Sequence, residues 1–285
     1  MCSAADTTVA APQVMESKET APSSAAPSVC STLLKLLGSG IPIVVQQTCI
    51  LLIAFITVGR VGRSVGPDAL AALSLGNLTY NLLGLTLIMA PMTALETFAS
   101  QAWGAKRLEE VGLCVQRALF VAALLLLPAA IAWLFAEPIL RALGQPEPVV
   151  ALAAQFLRSM LPVLPIQVCF EATKRFLYAQ AVMWPPALAA TLATLAHLCW
   201  LGPLVESLGF AGAPVALLCA HATMLSLLLA YIVLRRPHHP DTWPGLRPRR
   251  LWRDRASMGR FFRTSMYGLI SLSEWVFWEA ICFRR

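Results

Sequence analysis

The sequence predicts an all-α integral membrane protein, and three observations carry that reading. Hydrophobic residues make up 58% of the chain and charged residues only 13%, with a mean hydropathy of +0.68. An ordinary soluble domain carries about 25% charged residues, so this composition excludes one. Apolar stretches also recur that, at about 1.5 Å per helical residue, are each long enough to cross roughly 30 Å of hydrocarbon. Finally, Lys and Arg fall between those stretches. The net charge of +7 therefore reports membrane orientation and not a nucleic-acid partner.

Residues 1–30 are rich in Ala, Ser, Pro and Thr, with Asp6, Glu16 and Glu19 scattered among them. That composition predicts a disordered tail. It lacks the continuous apolar core of a secretory signal, and its acids argue against a transit peptide, so the tail is expected in the cytosol. The first span covers residues 36–58; it contains Gln46 and Gln47, and no acid occurs from Lys35 to Gly66. The second, residues 69–95, is uncharged up to Leu95 and places Asn77, Asn81 and Gly84 at helical spacing. Such a polar, small-residue stripe is expected to face a cavity and not lipid.

The third span is residues 113–135, the fourth 148–170, the fifth 184–205, the sixth 210–234 and the seventh 261–283. Pro128, Pro162, Pro165 and Pro203 lie inside spans, where each removes a backbone donor and invites a kink. Loops on one side hold Lys106, Arg107, Lys174, Arg175 and the eight arginines between Arg235 and Arg260; the other side holds Arg60, Arg63 and Arg141. Twelve against three places the amino terminus and the basic 235–260 linker in the cytosol.

Eight cysteines without Cys-x-x-Cys spacing read as small apolar fillers, and His238 and His239 as part of a solvated loop. No metal, cofactor or enzymatic chemistry is expected. His197 and His221 read as helix-to-helix hydrogen-bond partners in preference to the alternative, proton relays. Glu96 and Glu171 sit near cytoplasmic helix ends, with Lys174 three residues after Glu171 and placed for a helix-surface ion pair. Glu274 and Glu279 are different, because no Lys or Arg lies between Arg263 and Arg284. A carboxylate at such depth is costly unless it meets a cavity or partner. The two stand about 140° apart around a helix.

Ser74-Leu75-Gly76, Asn81, Gly84, Ala94-Leu95-Glu96-Thr97 and Ser100-Gln101-Ala102-Trp103-Gly104-Ala105-Lys106 resemble the second helix of the multidrug and toxic compound extrusion (MATE) transporters, with Ser100 in place of the usual glycine. Lys174 to Gln180 followed by Pro185-Pro186, then His197 to Trp200, Gly209 to Ala213 and Glu274-Trp275 extend the likeness over residues 31–279. The resemblance implies a twelve-helix fold of two bundles with a cavity between them. Residues 31–234 would form the six-helix amino-terminal bundle, 235–260 a basic cytosolic linker, and 261–285 the first helix of a second bundle, as in a truncated transporter.

It further implies a secondary antiporter that exports organic cations or other xenobiotics in exchange for protons, or sodium, across the plasma membrane or an organelle membrane such as the vacuole's. In the family the first acid of the helix-seven motif serves proton coupling and cation recognition. That role falls on Glu274, with Glu279 second and Trp275 beside them. Val276 departs from the motif, and Met266-Tyr267 stands where the family carries Pro-Ser. Gln46, Gln47, Asn77, Asn81, Gln101 and Trp275 would line the pathway. Another secondary carrier and a non-transporting seven-helix protein are the alternatives.

Overall fold

The computed structural model describes residues 29–243, 245–246 and 254–282, without the side chains of Lys35 and 275–282. The expected disordered tail lies almost wholly outside the described residues. The chain divides into Met1–Leu37 and Gly38–Arg285, and the second unit carries all the described helices except the start of the first. The helices are α1 (Val29–Ser64), α2 (Pro67–Thr79), a π-helical turn (Tyr80–Leu85), α3 (Thr86–Gly104), α4 (Leu108–Leu134), α5 (Ala136–Ala142), α6 (Glu147–Met160), α7 (Val163–Ala179), α8 (Trp184–Leu208), α9 (Gly212–Arg235) and α10 (Arg255–Cys282).

Among the described residues four helical runs are long and apolar enough to cross a membrane, or five when the bent pair α6 and α7 counts as one span. Residues 184–235 form one of these runs, yet they do not cross in a single pass. Gly209 takes φ +59, in the region that an L side chain resists. Beyond it α9 returns along α8, and a Cβ on Gly212 would strike the Leu204 backbone. The expected fifth and sixth spans are thus the two arms of a hairpin. α10 is not among the apolar runs, since two glutamates and several serines lower its hydropathy.

The expected fourth span is broken. α6 and α7 meet at 49°, and Pro162, at the break, supplies no backbone donor to continue the ladder. Pro165 falls in the first turn of α7, where a helix needs no N–H partner; Pro128 and Pro203 lie within helices that continue through them.

Helices cannot gain by the hydrophobic effect in lipid, so close packing of small residues must hold them together. Alanines meet that need at three- and four-residue spacing: Ala90 and Ala94 on α3, Ala118 and Ala122 on α4, Ala213, Ala216 and Ala220 on α9 are all fully buried. Trp133, Phe156, Phe170 and Leu177 fill the larger gaps. The opposite faces carry leucine stripes, such as Leu188, Leu192 and Leu195 on α8, that stand exposed and suit an acyl-chain environment.

α1 is tied to α8 by side chains. Thr57 Oγ1 lies 2.9 Å from His197 Nε2, Thr194 Oγ1 donates to the Cys49 carbonyl at 3.3 Å, and Arg60 pairs with Glu206. The helix-to-helix role expected of His197 is therefore what the structure has. α10 packs on α3, with the rings of Phe98 and Phe261 5.7 Å apart and Gly268 so close that a Cβ there would stand 3.2 Å from the Ala90 carbonyl.

The described start of the basic linker keeps the His239 and Asp241 side chains exposed, as expected of a solvated loop, yet its backbone and Thr242 are docked. Gln180 Oε1 accepts the His239 N–H at 2.9 Å, Thr242 is fully buried, and Trp243 packs edge-on against Phe176 at 6.1 Å. Further on, Gln116 donates to the Gly245 carbonyl at 2.9 Å and Arg117 to Asp254 at 3.3 Å. The Gln180 amide and the Phe176 ring at the end of α7, with Gln116 and Arg117 on α4, hold the segment against the helices.

Candidate functional site

A cavity of about 600 Å³ opens among α1, the π-helical turn, α7 and α9. Its position follows from the backbone. Between Tyr80 and Leu85 the second span winds as a π-helix, and the Asn81 carbonyl accepts bonds from both the N–H and the hydroxyl of Thr86. Such turns are rare and concentrate at functional sites. Here Asn77 just before the turn, Tyr80, Asn81 and Leu85 within it and Thr86 just after it all line the cavity. Gly84 does not share that face. It packs against Trp133, where a Cβ would lie 3.0 Å from the ring, because a wider turn advances less per residue than the α-helical spacing assumes.

α1 contributes Gln47, Ile50 and Ile53; α7 contributes Gln167; α9 contributes Leu217, His221 and Met224. The lining is thus apolar with seven hydrogen-bonding side chains, and among the described residues it contains no Asp, Glu, Lys or Arg. Gln46, next to Gln47, is buried but points elsewhere, its amide nitrogen without a partner among the described residues. Gln101 lies at the foot of α3, in two smaller hollows with Thr97 or Arg117, away from the cavity. Glu274 stands exposed on α10, two residues beyond Leu272, which does line the cavity. The side chains of Trp275 and Glu279 lie outside the described residues.

Of the pathway residues expected from the sequence, the structure gathers Gln47, Asn77 and Asn81. Tyr80, Thr86, Gln167 and His221 were missed. Gln167 carried a signal, since it is a polar residue inside a span four positions before Glu171 and on the same helix face.

Gln167 also joins the cavity to a buried charge cluster. Its amide donates to Glu171 Oε1 at 3.3 Å. Lys174 Nζ reaches the same carboxylate at 2.8 Å, Arg175 pairs with it as well, and Glu171's side chain is only 3% exposed. The ion pair expected on a helix surface is therefore internal. Arg175 also reaches Glu96 at 3.8 Å and the Met89 sulfur at 3.4 Å. Two cations and two carboxylates leave the cluster close to neutral, which is the condition for burying it.

The MatE family profile matches residues 42–200. The chain belongs to this family. Among curated relatives it is 33% identical to Protein DETOXIFICATION 37 of Arabidopsis thaliana, over 73% of this chain and 41% of the relative. It is 36% identical to Protein DETOXIFICATION 39 of the same plant, over 74% of this chain and 41% of that one. The MatE chain therefore spans less than half the length of these two relatives. Its fold resembles that of the eukaryotic MATE transporter AtDTX14, with a TM-score of 0.76 and 22% identity over 83% of this chain and 52% of that one. Membership makes this an integral membrane protein of a transporter family, with a helical bundle of the MATE type.

Proposed function

We propose that this MatE chain contributes a six-helix bundle and a seventh helix to a secondary antiporter that exports organic cations and related xenobiotics in exchange for protons. The observation that carries the proposal is the cavity itself. Its roughly 600 Å³ volume falls in the range of small-molecule sites, and its few amide, hydroxyl and aromatic groups set in an apolar wall are what recognition of flat amphipathic molecules requires. Asn77 and Asn81 supply hydrogen bonds that lipid cannot meet, and Tyr80 offers a ring face to a cation.

Coupling falls to Glu274 in this proposal. An acid desolvated between two bundles holds either a proton or a cationic substrate, and release of one permits binding of the other. It stands exposed on α10, about 200° around the helix from cavity-lining Leu272, so in this proposal it faces the second bundle and not the cavity wall. Glu279, with Trp275 beside it, takes the second place. The amino terminus and the linker after α9 face the cytosol, and the exporter works at the plasma membrane or a vacuole-like membrane.

The test is uptake of a fluorescent organic cation into vesicles under an imposed pH gradient, with the chain joined to a second bundle from a family relative. Glu274→Gln is expected to abolish pH-driven uptake while membrane insertion persists, and Glu274→Asp to retain part of it. Undiminished uptake by Glu274→Gln would move coupling to another residue.

A further inference from the structure

The cavity contains a titratable group that the antiport proposal does not use. Of the side chains lining it among the described residues, two ionise at all, Tyr80 and His221. A phenol changes charge near pH 10 and an imidazole near 6.5, so the histidine is the one that responds across physiological pH. The two intramembrane histidines are placed quite differently. His197 is fully buried and engaged by Thr57, as a packing residue would be. His221 is partly buried on the cavity wall and reaches back along its own helix, with Nδ1 2.8 Å from the Leu217 carbonyl.

A carbonyl oxygen only accepts, so Nδ1 carries the hydrogen and the neutral ring keeps its lone pair on Nε2. Among the described residues no protein group bonds that atom. We propose that His221 is the proton-responsive, specificity-determining residue of the cavity: with the ring neutral the cavity takes a flat organic cation, and a proton on the ring excludes it. The step is simple. A proton from water adds to the Nε2 lone pair, no other covalent bond changes, and the atom turns from acceptor to donor while a positive charge enters a wall that had none.

The surroundings do not cancel that charge. From α7 the nearest ionised group is Glu171, already held by Lys174 and Arg175, with Gln167 between it and the cavity. Glu96 on α3 is occupied with Arg175. α8 offers His197, bound to Thr57, and α1 offers the neutral Gln47. α6 lends Met160 and α10 lends Leu272, while Glu274 on α10 stands exposed. Across the space Tyr80 remains neutral, and α9 itself carries no charged residue before Arg235. With His221 neutral, the Tyr80 ring, the side-chain carbonyls of Asn77 and Asn81 and the sulfur of Met224 form an uncharged, polarisable cradle for an aromatic cation. The inference rests on the reading of this cavity as a substrate site.

The experiment uses the 285-residue chain in lipid nanodiscs with ethidium as the probe, its affinity read by fluorescence at about pH 5.5 and about pH 8. The expected result is affinity at least tenfold weaker at the lower pH for the wild type, and the same affinity at both pH values for His221→Gln. A His221→Gln variant that keeps the wild-type pH dependence would overturn the inference. Absence of ethidium binding by the wild type at either pH would overturn the reading of the cavity itself. The ring's own titration separates the two. The His221 signal in wild-type protein labelled on histidine ring carbons, assigned by elimination with His197, His238 and His239 variants, is expected to shift between about pH 5 and 8. A ring that stays unchanged over that range would refute a proton-responsive His221 whether or not ethidium binds.

Discussion

Glu171 is the residue whose surroundings leave least freedom. Its carboxylate is buried and accepts from Gln167, Lys174 and Arg175, so removing its charge strands two cations inside the bundle. Breaking a buried pair of this kind costs about 3 kcal/mol or more, whereas the pair of Arg141 and Glu147 is exposed and screened by solvent. Glu171→Gln is accordingly expected to lower the thermal unfolding midpoint of the detergent-solubilised chain by several degrees, and Glu147→Gln to leave it almost unchanged. Equal midpoints for the two variants would show that the Glu171 cluster is hydrated and not internal. The sequence revealed the Glu171–Lys174 spacing but not its burial, because i,i+3 proximity is a property of one helix and burial depends on what other helices cover it.

Among the helices, α10 begins with a cap that the sequence does not advertise. Asp254 precedes Arg255, and its carboxylate accepts the Ser257 N–H at 3.1 Å, satisfying one of the first-turn donors. The hydrogen bonds from Ser257, and then the Arg117 and Arg260 charges, hold its pKa below the usual carboxylate value. A depressed folded-state pKa contributes stability that is present above the unfolded value near 3.9 and disappears as pH falls through the folded one. Asp254→Ala is expected to cost about 1 kcal/mol at neutral pH and nothing once the wild-type acid is itself protonated. Unfolding measured against pH, with the two curves failing to converge in acid, would contradict this.

Element boundaries were legible where glycine or proline marks them, as at Gly209 and Pro162. The π-helical turn at Tyr80–Leu85 was not, since no residue type there forbids an ordinary helix. That single extra residue swings Gly84 onto Trp133 and off the cavity face that Asn77 and Asn81 share. It also explains why Thr86, which an α-helical wheel sets opposite Asn77, went unnoticed; Tyr80, three residues after Asn77, lay on the same face and was legible.

For the whole molecule, an apolar all-helical membrane fold was legible from composition and span length alone, because hydrocarbon imposes one requirement on every crossing. The resemblance carried by Gln101 to Lys106 and Glu274-Trp275 supplied the family, which the profile match over 42–200 then established. What α10 and Glu274 meet beyond this chain was out of reach, as the relatives are about twice as long. Orientation remains a proposal that follows from arginine counts. A cysteine at Asp241, in the docked linker, is expected to resist an impermeant thiol reagent in intact cells and to react once they are permeabilised, in a background free of native cysteine. Labelling in intact cells would invert the topology.

The central claim is that substrate occupies the cavity beside the π-helical turn. Its most direct measurement is protection of Asn81→Cys, in the same cysteine-free background, from a small cationic thiol reagent. The account predicts that the reagent modifies this position in membranes and that ethidium slows the modification at least severalfold, while a cysteine at Leu188 on the outer face of α8 shows no such protection. Modification of Asn81→Cys at the same rate with and without ethidium, or no modification under either condition, would contradict it.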